Sequence, residues 1–211
     1  MALSTIDIYL QATIAIIIIV NPIDPVKIVI FNSVIARQGL DRRRAATRVA
    51  LTVAAILGVS ALVGRDLLNL MGINLGAFGI IGGLIVAGMG LEMLYSGGTS
   101  RVQGASEASQ QPPEDDGLIM PVATPLMAGP GAITTVITVS SFRADGSTLI
   151  AAVVAVALVA VLVFAGFAYL GAAFDRLKPA AAAMLARVGG LLLATIGAQL
   201  VLGGIRTFYG S

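Results

Sequence analysis

The chain has 211 residues, 57% apolar and only 11% charged, with a mean hydropathy of +0.97; a soluble domain carries about 25% charged residues, so water is excluded as its main solvent. Cysteine and histidine are absent, which excludes disulfides and the common zinc sites and removes the commonest general base. The net charge of +2 comes from basic residues scattered over the ends of apolar runs, not interleaved with aromatics, and this argues against a nucleic-acid partner.

A helix needs about 20 mainly apolar residues to cross a bilayer. Six stretches qualify, roughly 8–36, 45–64, 71–95, 119–141, 147–174 and 184–207. They are too long and continuous for barrel strands of about 9–11 alternating residues. The expected fold is therefore all-α, a polytopic membrane protein with six transmembrane spans. No basic region precedes the first run, so no cleavable signal peptide is expected.

The first run is apolar from Ile8 to Val20 and then meets Asn21-Pro22-Ile23-Asp24-Pro25. Proline removes a backbone donor and pushes the preceding residue out of helical geometry, so this span should be discontinuous. Asp24-Pro25 is a good restart, with Asp at the cap and Pro at the first helical position. Asp24 and Lys27 are charges inside the break. They read either as a neutralising pair or as groups that meet a solute carboxylate or carry a coupling proton.

Beyond this span lie Arg37, Arg42, Arg43, Arg44 and Arg48. Basic residues collect on the cytoplasmic side, which puts the N-terminus outside. Alternation then adds Arg101, Arg176, Lys178 and Arg187 to the inside and leaves Arg65, Arg143 and Arg206 outside, nine against three. Both termini are expected on the outer face of the cell membrane. Glu92, near the cytoplasmic end of the third span, reads as reaching the interface.

Residues 97–117, rich in Gly, Ser, Gln and Pro, cannot bury a core and read as a flexible cytoplasmic linker. The second half opens with another broken span. Thr124-Pro125 ends one half-helix, and Gly129-Pro130-Gly131 caps and starts the next. Half-helix N-termini present free amides and positive dipole ends that hold anionic groups. The candidate substrate-binding residues are thus Asn21, Pro22, Asp24, Lys27, Thr124, Pro125, Gly129, Pro130 and Gly131.

The halves are similar to each other. At an offset of 107, Gly82-Gly83-Leu84 falls on Gly189-Gly190-Leu191, Ala87 on Ala194, Gly90 on Gly197, Gly97 on Gly204 and Glu92 on Gln199. Residues 1–96 and 118–211 then form two repeats of three spans, and an odd number inverts the second. Inverted repeats with paired broken helices are the mark of secondary transporters. The pairs Gly79/Gly83 and Gly190/Ala194 suit close helix packing.

At these residues the chain resembles the MarC family, which includes the SnatA-type transporters of small neutral amino acids. The likeness is strongest over Pro121-Val122-Ala123-Thr124-Pro125-Leu126-Met127-Ala128-Gly129-Pro130-Gly131-Ala132-Ile133, similar to the family's P-x-x-x-P-L-x-A-G-P-G-A-I signature. Asn21-Pro22 and Phe78 with Gly82-Gly83 resemble its other motifs. The family usually has Gly where Asp24 stands and Pro where Lys27 stands, and a basic or polar residue where Gly79 stands. The resemblance implies two inverted three-span repeats and transport of glycine, alanine or a similar solute, coupled to protons.

The residues and the resemblance together lead to one reading: a secondary transporter of a small solute working by alternating access, in the lipid bilayer, without a cofactor and without enzymatic activity. Export of another small metabolite and a channel-like pore are the alternatives; no repeated filter motif supports the pore.

Overall fold

The computed structural model describes residues 5–22, 24–96, 127–141, 147–170 and 178–210. Within them the chain is helical, with no strand among the described residues. The helices are α1 (Thr5–Val20), α2 (Pro25–Gln38), α3 (Arg42–Leu70), α4 (Leu75–Ser96), α5 (Pro130–Ser140), α6 (Ser147–Ala165) and α7 (Pro179–Tyr209), with a π-helical turn at Gly166–Leu170 continuing α6. The linker at 97–117, together with Thr124 and Pro125, lies outside the described residues.

Among the described residues, four helices are long and apolar enough to cross a membrane: 42–70, 75–96, 148–170 and 180–209. Only 28–39% of their apolar windows is buried inside the protein, so the remaining apolar surface needs lipid around it. The protein is an integral membrane protein by this criterion. The first expected span is instead two helices of 16 and 14 residues, each short of the roughly 20 a crossing requires. Of the fourth, the described part is the 11-residue α5.

Local chemistry sets the short connections. After α2, Gly39 adopts φ +63 and Leu40 N–H donates to the Ile35 carbonyl at 3.1 Å. Asp41 then caps α3, its carboxylate accepting from Arg44 N–H at 2.9 Å. At the other end Gly72 turns the chain at φ +69, with Gly72 N–H donating to Asn69 O and Ile73 N–H to Leu68 O. Such a left-handed residue closes a helix by satisfying its last carbonyls. Asn74 starts α4 by accepting from Gly76 N–H at 2.7 Å and Ala77 N–H at 3.2 Å.

The core lies between α1, α2, α3, α5 and α6. Ile16 and Val20 of α1, Ile28 and Phe31 of α2, Val49, Val53 and Leu57 of α3, Val136 of α5, and Val159 and Val163 of α6 are all buried. Phe31 stacks on Phe167 of the π turn with ring centroids 4.5 Å apart. Beside this stack, Arg42 donates to Asn32 Oδ1 at 2.8 Å and to the Phe167 carbonyl at 3.3 Å. Arg43 sits 5.7 Å over the ring of Tyr169. A basic residue paired with an aromatic is the chemistry of a membrane interface.

Lipid offers helices no apolar driving force to associate, so close packing must do the work. Helices α4 and α7 supply it by running antiparallel with their backbones in contact. A Cβ on Gly83 would stand 2.7 Å from the Gly197 carbonyl, and one on Gly197 would stand 2.6 Å from the Gly83 carbonyl. Gly90 and Gly190 meet reciprocally in the same way, each Cβ 2.6 Å from the other's carbonyl, and so do Gly76 and Gly204, at 2.7 and 2.6 Å. The contact glycines recur every seven residues on both helices. Gly83 and Gly190 thus have the packing role expected of them. Gly79 is looser, with its nearest neighbour, Gly204 Cα, at 3.6 Å.

Candidate functional site

The first break is a complete helix stop and restart. Asn21 N–H donates to the Ile17 carbonyl at 2.8 Å, and Asn21 itself takes φ +44, the only positive φ at a non-glycine among the described residues. This is the left-handed helix close that glycine usually makes and Asn tolerates. Pro22 follows and is buried. Helix α2 begins at Pro25, and the Asp24 carbonyl accepts from Ile28 N–H at 3.0 Å. Asp24 therefore occupies the cap position that its sequence implies.

Burial is the notable property of the two charges, with Asp24 1% and Lys27 3% exposed. The Lys27 ammonium reaches back across the break. It donates to the Val20 carbonyl at 2.5 Å and the Asn21 carbonyl at 3.4 Å. These carbonyls end α1 and lack intrahelical donors, and the helix dipole makes that end partly negative. Asp24 and Lys27 stand one turn apart, so the break carries both signs of charge. The part played by the Val20 carbonyl was not legible in the sequence.

In the second break, Gly129 caps α5 at φ −69 and ψ 175, and Pro130 is at the helix start. Ile133 N–H donates to the Gly129 carbonyl at 3.1 Å. Gly131 is buried, and a Cβ there would stand 2.6 Å from Val86 Cγ2 and 3.8 Å from Met89 Sδ. Its missing side chain thus lets α5 lie close on α4. Thr134 and Thr135, both buried, return their hydroxyls to the Pro130 and Gly131 carbonyls at 2.8 Å each. Further along the chain, Thr138 Oγ1 and Ser141 Oγ are buried without a hydrogen-bond partner among the described residues. Hydroxyls at 134, 138 and 141 follow helical spacing, a pattern already present in the sequence.

The glycine helices hold both breaks. Asn21 lies over α7, its Nδ2 3.4 Å from where a Cβ on Gly189 would stand. On α4 the matching glycine is Gly82, and its vacancy is filled by Thr134 of α5. Gly82 and Gly189 are 107 apart, so each helix break rests on the corresponding glycine of the other half. Helix α5 also touches α1, α3 and α6. Glu92 and Gln199, the other polar pair at that offset, are both exposed. No group of three or more potential metal ligands occurs among the described residues.

Helices of this length and apolarity agree with what related sequences show. The model of the MarC family of integral membrane proteins matches residues 6–209. The chain belongs to the MarC family. It is 32% identical over 194 residues to a UPF0056 membrane protein of Pyrococcus horikoshii, with 91% of each chain covered. With the UPF0056 membrane protein YhcE of Escherichia coli K12 it shares 29% identity over 203 residues, covering 96% of this chain and 94% of the relative. The UPF0056 inner membrane protein MarC of Escherichia coli O157:H7 is 29% identical over 178 residues, with 80% of each covered. No solved structure matches the chain.

Proposed function

We propose that this MarC family protein is a secondary transporter of a small zwitterionic solute, a small neutral amino acid such as glycine or alanine, and not an enzyme. Two inverted three-span repeats would alternate access to a site between the two helix breaks. The observation that carries this reading is the pair of half-helix starts behind buried cap residues, Asp24 before Pro25 and Gly129 before Pro130. Irregular backbone inside a membrane is stable only where protein or a water-filled cavity surrounds it. Amides at such starts bind carboxylates, which suits an amino-acid carboxylate.

The glycine contacts support the repeat. The offset of 107 carries Gly83 to Gly190 and Gly90 to Gly197. It therefore converts the Gly83·Gly197 contact into the Gly190·Gly90 contact, as a two-fold axis between the helices would. Proton coupling follows from the family resemblance.

The test is transport of labelled glycine and alanine by purified protein in vesicles, after a thermal-shift screen against small amino acids. Saturable uptake of unaltered solute is the expected result. Flux that never saturates would favour a pore, and chemical turnover of the label would favour an enzyme. Orientation is tested separately, with single cysteines at Ser4 and Ser106 and an impermeant thiol reagent on intact cells. Labelling at Ser4 alone is expected; labelling at Ser106 alone would reverse the topology.

A further inference from the structure

The end of α1 has the makings of a cation site, and the chain itself occupies it. Two backbone carbonyls, Val20 and Asn21, converge at the negative end of a helix dipole, inside the protein and in the same helix break as the buried Asp24. In transporters with broken helices, carbonyls of this kind coordinate the coupling cation. Here the acceptor atoms meet the Lys27 ammonium. An ammonium and an alkali cation carry the same charge and seek the same oxygen acceptors. The ammonium differs in being covalently tethered, so it cannot leave with the solute.

We propose that Lys27 is a built-in substitute for a monovalent metal cation, filling a site formed by the Val20 and Asn21 carbonyls with Asp24 supplying the negative charge. The wild-type protein therefore takes up no sodium at this site. Removing the side chain should turn the site into one for a small alkali cation. This consequence concerns binding and holds whatever the protein moves. Sodium-independent transport is the further consequence, and it rests on the transporter reading above.

The experiment uses the purified full-length protein without added solute, heated in sodium, lithium, potassium or choline chloride at equal ionic strength. The wild type is expected to melt at the same temperature in all four. Lys27→Ala should melt lower in choline chloride and recover in at least one alkali chloride, with a shift that saturates as the cation concentration rises. Asp24→Asn/Lys27→Met, neutral and filled, should purify and show no preference among the salts. A wild type stabilised by sodium over choline would overturn the assignment. So would a Lys27→Ala protein that no alkali cation restores. In vesicles, wild-type uptake should be unchanged when choline replaces sodium, and sodium-dependent uptake would overturn the coupling half. Absence of uptake in every salt would instead sink the transporter reading and leave the melting result standing.

Discussion

The two helix breaks use one backbone device with opposite chemistry. Both end in proline at the first turn of a helix behind a buried cap residue, Pro25 in α2 after Asp24 and Pro130 in α5 after Gly129. The first is charged and strained, with Asn21 at φ +44 and Lys27 folded onto the carbonyls before it. The second is neutral and relaxed. Gly129 sits at φ −69, and the threonines that follow bond only to their own helix. The carbonyls that close α1 are thus answered by the Lys27 side chain, whereas the opening amides of α5 have no acceptor within their helix. On the transport reading, a solute carboxylate is expected at the second break, and the first is a fixed counterpart.

The contrast breaks most forcefully at Lys27. Lys27→Met leaves the Asp24 charge buried and takes a donor from two carbonyls, so a loss of about 3–5 kcal/mol is expected. Asp24→Asn/Lys27→Met should regain most of it. Thermal unfolding in detergent compares the three proteins. A single variant as stable as wild type would mean that the charges do not govern the first break.

The support shared by both breaks gives the next largest effect. Gly90→Ala or Gly197→Ala forces a methyl against the opposite backbone, where Gly190 O and Gly83 O stand 2.6 Å away. Overpacking of this kind is expected to destabilise by about 1–3 kcal/mol. Gly88, on the same helix as Gly90, has nothing within 4 Å of its would-be Cβ, and Gly88→Ala should be neutral or slightly stabilising. Equal melting of Gly88→Ala and Gly90→Ala would remove the close contact from the account.

The smallest effect sharpens the backbone comparison. Asn21→Ala puts an ordinary side chain at a left-handed φ and should cost about 1 kcal/mol, while Asn21→Gly should restore that strain term. At Gly129 the φ of −69 suits any residue, so alanine there adds no backbone strain. A tolerant Asn21→Ala would show that the first break is as relaxed as the second.

Hydropathy and proline chemistry are local, and what depends on them could be read directly. The apolar runs, the stop at Asn21-Pro22, the restart at Pro25 and the Gly129 cap before Pro130 all follow from restricted φ and missing donors within a few residues. The glycines that match at the 107-residue offset, Gly83 with Gly190 and Gly90 with Gly197, were also visible as a pattern. What they touch was not, because a helix face does not name its neighbour; only the antiparallel crossing of α4 and α7 set Gly83 against Gly197 and Gly90 against Gly190. Gly131 could be placed at a helix start from the sequence, but its neighbour Val86 on α4 came only from the tertiary structure. Lys27 shows the division most clearly. Its charge and its place in the break belong to the sequence. That its ammonium turns back onto the Val20 carbonyl depended on the direction of a flexible four-carbon side chain, and that direction is set by the packing that buries it.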